Sequence, residues 1–470
     1  MNPEAAAYTL RNVNVSLRGT NRFFNPISSC FYQTPRLQVL PIPQACGLIL
    51  SENELTIEAS MNGHVQTANI DPLFNPLAPE FIRDPYPHYQ RLRTTDPMHL
   101  TPLGMFVASR HAEASLVLRD KRFGMDYIER TVRRYGPKIM EQPVFRSMSH
   151  WMLQQNPPDH TRLRGLVVKA FTARRVEDMR PRIQQVVDQT LDAIVDKGHM
   201  DLIEDFAFRL PVTIICDMLG IPEDHREAFY KSSRDGGRLL DPVPLTPAEI
   251  EQGNARNMMS RMYFQQLFEL RRRQPGDDLT TQLVQAEEDG SKLSNEELTA
   301  NIILLFGAGH ETTVNLIGNG LLALHRNPDQ LELLKANPSL ITNAIEEFLR
   351  YDSSVQLAGR TALEDIEDLG GKTIPKGEAV LCLLGSANRD PAVYPDRPDR
   401  LDITRPNVRP LSFGGGIHFC LGAQLARIEA EIAISTLLRR LPELRLDDAE
   451  NPEWRPTFVL RGLKRLPASW

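Results

Sequence analysis

One cysteine in this chain stands where a thiolate could act as a ligand. Phe413-Gly414-Gly415-Gly416-Ile417-His418-Phe419-Cys420-Leu421-Gly422 sets Cys420 among glycines, directly ahead of the helix-forming run Ala423 to Ala430. Three consecutive glycines let the backbone turn tightly and approach a bulky group closely. At the entry of a helix, unpaired N–H groups and the positive end of the dipole both favour a thiolate. A cysteine in that place is equally compatible with an inert small hydrophobe, so the other motifs must decide.

Gly307-Ala308-Gly309-His310-Glu311-Thr312-Thr313 follows the continuous apolar run Ile302 to Phe306. An acid beside an alcohol inside a buried helix is costly unless paired or solvated. The pair suits proton relay, and a polar patch facing another helix is the structural alternative. His160 and Arg164 lie four apart and share a helix face. They suit an anion, or form an ordinary solvated basic face. Glu347 and Arg350 read as an i, i+3 helix ion pair worth roughly a few tenths of a kcal/mol. Two other signatures fail. His310-Glu311 opens H-E-x-x-H, but Val314 stands where the second histidine is needed, and Phe419 ends the glycine run short of G-x-G-x-x-G.

The elements that must position these residues follow from pattern. Ser294 and Glu297 form a capping box, and the helix they start can run to Arg326, before Asn327-Pro328. Pro157-Pro158-Asp159 introduces a helix over 160–171, and Asn343 to Arg350 is another. His88 to Arg93 reads as a helix, and Met105 to Ala108 as a short strand. Residues 124–155 show no period and read as irregular. Several amphipathic helices fill 176–290, broken at Asp235-Gly236-Gly237 and Asp241-Pro242, with Arg271-Arg272-Arg273 as a charged helix end. Val355 to Thr361, Thr373 to Gly377 and Ala379 to Gly385 read as strands and a turn, followed by coil over 388–402. Thr457 to Leu466 reads as a hairpin.

A net charge of -6 gives no electrostatic footprint for nucleic acid. No apolar run reaches about 18 residues, so no membrane span is expected. The five cysteines, Cys30, Cys46, Cys216, Cys382 and Cys420, are odd in number and contain no C-x-x-C. They argue against a disulfide framework and a structural zinc site, and fit a reducing cytoplasm. Residues 1–65 carry Arg11, Arg18, Arg22 and Arg36, with Glu4 the only acid before Glu52. Without a clear amphipathic helix they read as an extension, disordered or upstream of a true start at Met61, rather than a transit peptide.

Together the motifs resemble the cytochrome P450 family in its soluble bacterial form, as one domain over about residues 66–470. The cysteine loop fits F-x-x-G-x-x-x-C-x-G at Phe413, Gly416, Cys420 and Gly422. AGHETT fits the oxygen-activation pattern, and Glu347-Phe348-Leu349-Arg350 fits E-x-x-R. Arg400 stands where the third member of the buried Glu–Arg–Arg network is expected, and SANRDP and RGLKRLP match as flanks. The resemblance implies a mostly α fold with small β-sheets (α+β), with haem b between the long central helix and the cysteine-loop helix. It implies Cys420 as the axial iron ligand, His160, Arg164, Arg360 and His418 on the propionates, and Phe413 and Gly416 in the haem loop. Thr312 and Glu311 are then the catalytic pair. The implied activity is haem-thiolate monooxygenation: one oxygen atom of O2 enters a small apolar substrate, in the cytoplasm. Electrons come from NAD(P)H through a ferredoxin and its reductase. The substrate chamber would draw on 124–155, Leu305, Ala308, Val355 to Ala358, Phe458 and Val459. Arg174, Arg175, Arg427, Arg439 and Arg440 would form a docking face. A peroxide-driven or reductive haem-thiolate enzyme, and a haem protein without turnover, are the rivals. The Glu311-Thr312 pair argues against the first.

Overall fold

A computed structural model describes residues 71, 73–232, 237–288 and 293–470. Residues 1–65, with Cys30, Cys46 and Met61, and the Asp235-Gly236 break lie outside the described residues. The helices that position the site are, in chain order, α1 (His111–Arg119), α2 (Tyr127–Tyr135), α3 (Asp159–Val167) and α4 (Arg180–Asp192). After them come α5 (Arg209–Leu219), α6 (Pro247–Arg273), α7 (Asn295–His325), α8 (Ile341–Tyr351) and α9 (Ala423–Arg440).

The capping box starts α7 as expected. The Glu297 N–H donates to Ser294 Oγ at 3.2 Å, and the Ser294 N–H donates to the Glu297 carboxylate at 2.8 Å. α7 is apolar on nearly every side and packs against α5, α6, α8 and α9. Ile317, Leu321 and Leu324 on it are fully buried, each contributing about 1.5–3 kcal/mol of transfer free energy. Close approach depends on glycine. A Cβ at Gly309 would lie 2.9 Å from Ile215 of α5, and one at Gly320 would lie 2.8 Å from Phe348 of α8.

The strands are β1 (Met98–Leu100), β2 (Phe106–Ala108), β3 (Phe123–Gly124), β4 (His199–Asp201) and β5 (Leu357–Ala362). They continue with β6 (Ile366–Leu369), β7 (Lys372–Ile374), β8 (Ala379–Leu383), β9 (Arg445–Leu446) and β10 (Pro467–Ser469). A five-stranded sheet has the order β1-β2-β8-β5-β3, a three-stranded one β4-β10-β9, and β6-β7 is a hairpin. Arg360 pairs in register with Val380, and Gly359 with Leu381.

Three expectations are corrected. Residues 124–155 are not irregular: they hold α2, a helix over Pro143–Met148 and two short 3-10 turns. The helix over 160–171 ends earlier, α3 giving way at Val168 to a 3-10 turn. Residues 457–466 form no regular hairpin, only the isolated bridges Val355–Leu460 and Trp454–Leu463.

Candidate functional site

The glycine loop takes its shape from positions that exclude side chains. Gly414 and Gly416 have φ of 71° and 65°, in the region that glycine occupies without strain. A Cβ at Gly416 would fall 2.3 Å from the Leu118 carbonyl oxygen of α1. The Cys420 N–H donates to the Phe413 carbonyl at 2.9 Å and closes the loop. Gly416, Ile417, Phe419 and Cys420 are exposed, an apolar face around one sulfur. The protein crowds Cys420 on its other sides and pushes the thiol up, against the Gly422 N–H, Arg164 and Arg427, which pull it down. The helix entry therefore does not ionise Cys420 unaided, contrary to the expectation from its position.

Four cation-capable side chains gather beside the loop. α3 supplies His160 and Arg164, β5 supplies Arg360, and the loop supplies His418. Arg162 fixes α3 by donating to Glu297 of α7 at 2.5 Å. Arg164 donates to the Phe419 carbonyl at 2.6 Å, so α3 is tied to the residue preceding Cys420. The His160 and His418 rings lie 4.4 Å apart between centroids, and the Nε2 atom of each is buried without a hydrogen-bond partner. Arg360 is buried and donates to the Gly359 carbonyl and toward Met125 Sδ. Burial lowers the pKa of His160, with Arg164 and Arg360 adding to it. His418 is pushed down to about 3 by burial, then by Arg360, His160 and Arg164. Among the described residues no carboxylate pairs with any of the four. Unpaired buried cations are costly, and this donor set fits a bound group carrying anions, as the propionate edge of a haem does.

The middle of α7 presents a second polar face. Gly307 and Ala308 are exposed within an otherwise buried helix, and Glu311 and Thr312 are half-buried. The Thr312 hydroxyl donates to the Ala308 carbonyl at 3.2 Å. Glu311 stands near Gly237, where a Cβ would lie 3.1 Å from its Oε1. His310 is buried, with Nδ1 2.8 Å from the Phe306 carbonyl. Among the described residues no cluster of three His, Cys, Asp or Glu could hold a metal ion.

Beneath the loop, Arg350 makes two 2.7 Å bonds to Glu347, both side chains fully buried. The third arginine is Arg405, not Arg400. Arg405 is buried 3.4 Å from Glu347 and donates to the Asp396, Arg397 and Arg400 carbonyls. Arg400 turns outward to Asp329 and contributes only its carbonyl to the network. A residue missed from the sequence is Glu429 on α9. Its carboxyl is buried without a hydrogen bond of good geometry, and burial pushes it up to about 8, against a pull from Thr313 on α7. An acid in the second turn of an otherwise apolar helix face was the available signal.

This helix-rich fold with small sheets is shared with solved cytochrome P450 structures. A structure of P450BioI with hexadec-9Z-enoic acid ligated acyl carrier protein superposes at a TM-score of 0.77 and 39% identity, covering 83% of this chain and 99% of that one. The family pattern described as Cytochrome P450 matches residues 121–464. The cytochrome P450 monooxygenase PikC of Streptomyces venezuelae is 42% identical over 404 residues, which are 84% of this chain and 93% of PikC. The vitamin D(3) 25-hydroxylase of Pseudonocardia autotrophica is 41% identical over 395 residues, 83% of this chain and 94% of that protein. The chain belongs to the cytochrome P450 family. It is an oxidoreductase of the bacterial type, a monooxygenase with a haem-thiolate cofactor. Among the described residues no helix is long and apolar enough to cross a membrane.

Proposed function

We propose that Cys420 is the axial thiolate of the haem iron, that His160, Arg164, Arg360 and His418 hold the two propionates, and that Phe413 and Gly416 shape the loop beneath the ring. Thr312 and Glu311 are the catalytic alcohol and acid. The observation that carries this reading is the group of four cation-capable side chains, without a carboxylate partner among the described residues, around the exposed Cys420. When bound, the haem supplies dioxygen activation, so that one oxygen atom enters an apolar small molecule. A metal at Sγ is the charge that would ionise a thiol otherwise pushed up by burial. Arg164 and the Gly422 N–H then hold that sulfur in place. Thr312, released from Ala308, can present a proton at Oγ1 beside the exposed Gly307-Ala308 surface, and Glu311 can replenish it from solvent.

The substrate chamber draws on α2, Leu305, Ala308, Leu357, Ala358, Phe458 and Val459, mostly buried apolar groups. Named relatives that act on or bind vitamin D(3) and a fatty acyl chain favour an apolar substrate. Electrons come from NAD(P)H through a ferredoxin and its reductase in the cytoplasm. Arg174, Arg175 and Arg439 remain exposed as a basic docking face. Arg427 and Arg440 contribute less, since each is half-buried and paired within the chain, to Glu346 and to Asp192. Residues 1–65 are an extension of a single domain over 66–470. Relatives covered to more than nine-tenths of their own length by about 83% of this chain support that division.

The test is turnover of the haem-loaded enzyme with a ferredoxin, its reductase and NADH, set beside hydrogen peroxide alone. The account expects product matched to NADH, and a Thr312→Ala variant that consumes NADH while releasing mainly hydrogen peroxide. Full coupling to product in that variant would refute the role of Thr312. Turnover with peroxide only would favour the peroxide-driven alternative.

A further inference from the structure

α2 carries three arginines, and they divide by face. Arg133 points outward and meets Glu129 at 3.8 Å and Glu378 at 3.3 Å. Arg130 and Arg134, four apart and so on one face, have no ion pair among the described residues. Arg134 reaches Met105 Sδ at 3.9 Å. Arg130 reaches across to β5, where its Nη1 lies 3.7 Å from the position a Cβ would take on Gly359. Gly359 immediately precedes Arg360 of the cationic cluster. The same helix face carries Tyr127, whose buried hydroxyl has Thr131 nearby but no hydrogen bond of good geometry. The charges acting on Arg130 are Arg134 and Arg360, which oppose it, and Tyr127 and Asp126, which favour it without reaching it as an ion pair; burial is the largest effect and lowers its pKa.

A half-buried guanidinium held against a strand, flanked by two more arginines and lacking a carboxylate among the described residues, is stabilised when an anion joins it. We propose that Arg130, with Arg134 beside it, is the binding site for the carboxylate head of an otherwise apolar substrate. Two sources of a carboxylate lie within reach: a haem propionate and the substrate. The propionates already have four partners in His160, Arg164, Arg360 and His418. Arg130 comes instead from α2, in the segment that lines the substrate chamber. An arginine also suits the group geometrically, because its planar fork takes a carboxylate through two parallel bonds. The apolar remainder of the ligand then lies toward Leu305, Ala308 and Phe458, with the reacting carbon far from the head.

This inference rests on the haem-thiolate reading of the site, and its test keeps the two apart. The haem-loaded enzyme is titrated with dodecanoic acid and with methyl dodecanoate, below micellar concentrations, following the substrate-induced spectral shift. Imidazole ligation and the thiolate-type carbon monoxide spectrum serve as controls on the haem site itself. The wild type is expected to bind the acid about tenfold or more tighter than the ester, the usual scale of a charge-assisted pair. R130Q is expected to abolish that preference while leaving ester binding and haem content unchanged, and R134Q to reduce it. Equal binding of acid and ester by the wild type overturns the proposal, whether or not R130Q folds. So does failure of the acid to bind an enzyme that still ligates imidazole. Loss of haem from R130Q with the acid preference retained assigns Arg130 to a propionate and also overturns it. Failure of the imidazole and carbon monoxide controls would instead strike the reading of the haem site.

Discussion

At the scale of single residues, the candidate site is marked by titratable groups that lack an oppositely charged partner among the described residues. Among the described residues His160, Arg164, Arg360 and His418 lack an acid, and Glu429 is their mirror image, a buried acid without a base. The Glu429 carboxyl stays protonated in the folded enzyme up to about pH 8, whereas in the unfolded chain it ionises near 4.5. Between those values the unfolded state binds fewer protons, so Glu429 lowers stability progressively as pH rises and has no further effect above about 8. Glu429→Gln removes that dependence. Relative to wild type, the variant is expected to gain stability from pH 4.5 to 8, by roughly a few kcal/mol at most, and to show a level difference beyond. Denaturant midpoints across the range check this; parallel pH profiles would contradict it. Several single residues stand out as candidates because a motif fixes their neighbours: Cys420 by its glycines, Thr312 by the acid beside it. Glu429 does not, since one acid in a helix reads as a solvated face until packing buries it.

At the scale of elements, the network under the cysteine loop shows what pattern can and cannot settle. Glu347 and Arg350 share a helix face, so their contact follows from spacing, though the burial that makes it structural does not. The third arginine comes from coil over 388–410, where no period says which of Arg400 and Arg405 turns inward. The turn at Asp402 decides: its N–H donates to Glu347 at 2.9 Å, and the chain beyond it carries Arg405 in. Removing Arg405 takes a donor from the Asp396, Arg397 and Arg400 carbonyls, of which the last two keep another, and weakens the hold on a buried carboxylate. Arg405→Ala is therefore expected to cost roughly 3–5 kcal/mol of stability. Arg400→Ala, which breaks an exposed pair, is expected to cost about 1 kcal/mol or less. Thermal unfolding of the two haem-loaded variants measures the contrast, and equal losses would contradict the assignment. α2 escaped the sequence reading for a related reason. Its inward face is Tyr127, Arg130, Thr131 and Arg134, and a search for apolar period passes over a helix that buries polar groups toward a site.

At the scale of the whole molecule, the long central helix and its cap were the most legible part, because burial on every side leaves one way to read Ile302 to Phe306. Less legible were the relations between distant segments. α3 is joined to the cysteine loop by one arginine and one carbonyl, and β5 brings Arg360 beside them from 196 residues away along the chain from Arg164. Only the fold puts these charges around one sulfur. That convergence is the central claim, and the axial sulfur tests it most directly. Purified, reduced enzyme treated with carbon monoxide is expected to give the thiolate-type difference spectrum, and Cys420→Ser is expected to lose it. An unchanged thiolate-type spectrum in Cys420→Ser would contradict the account.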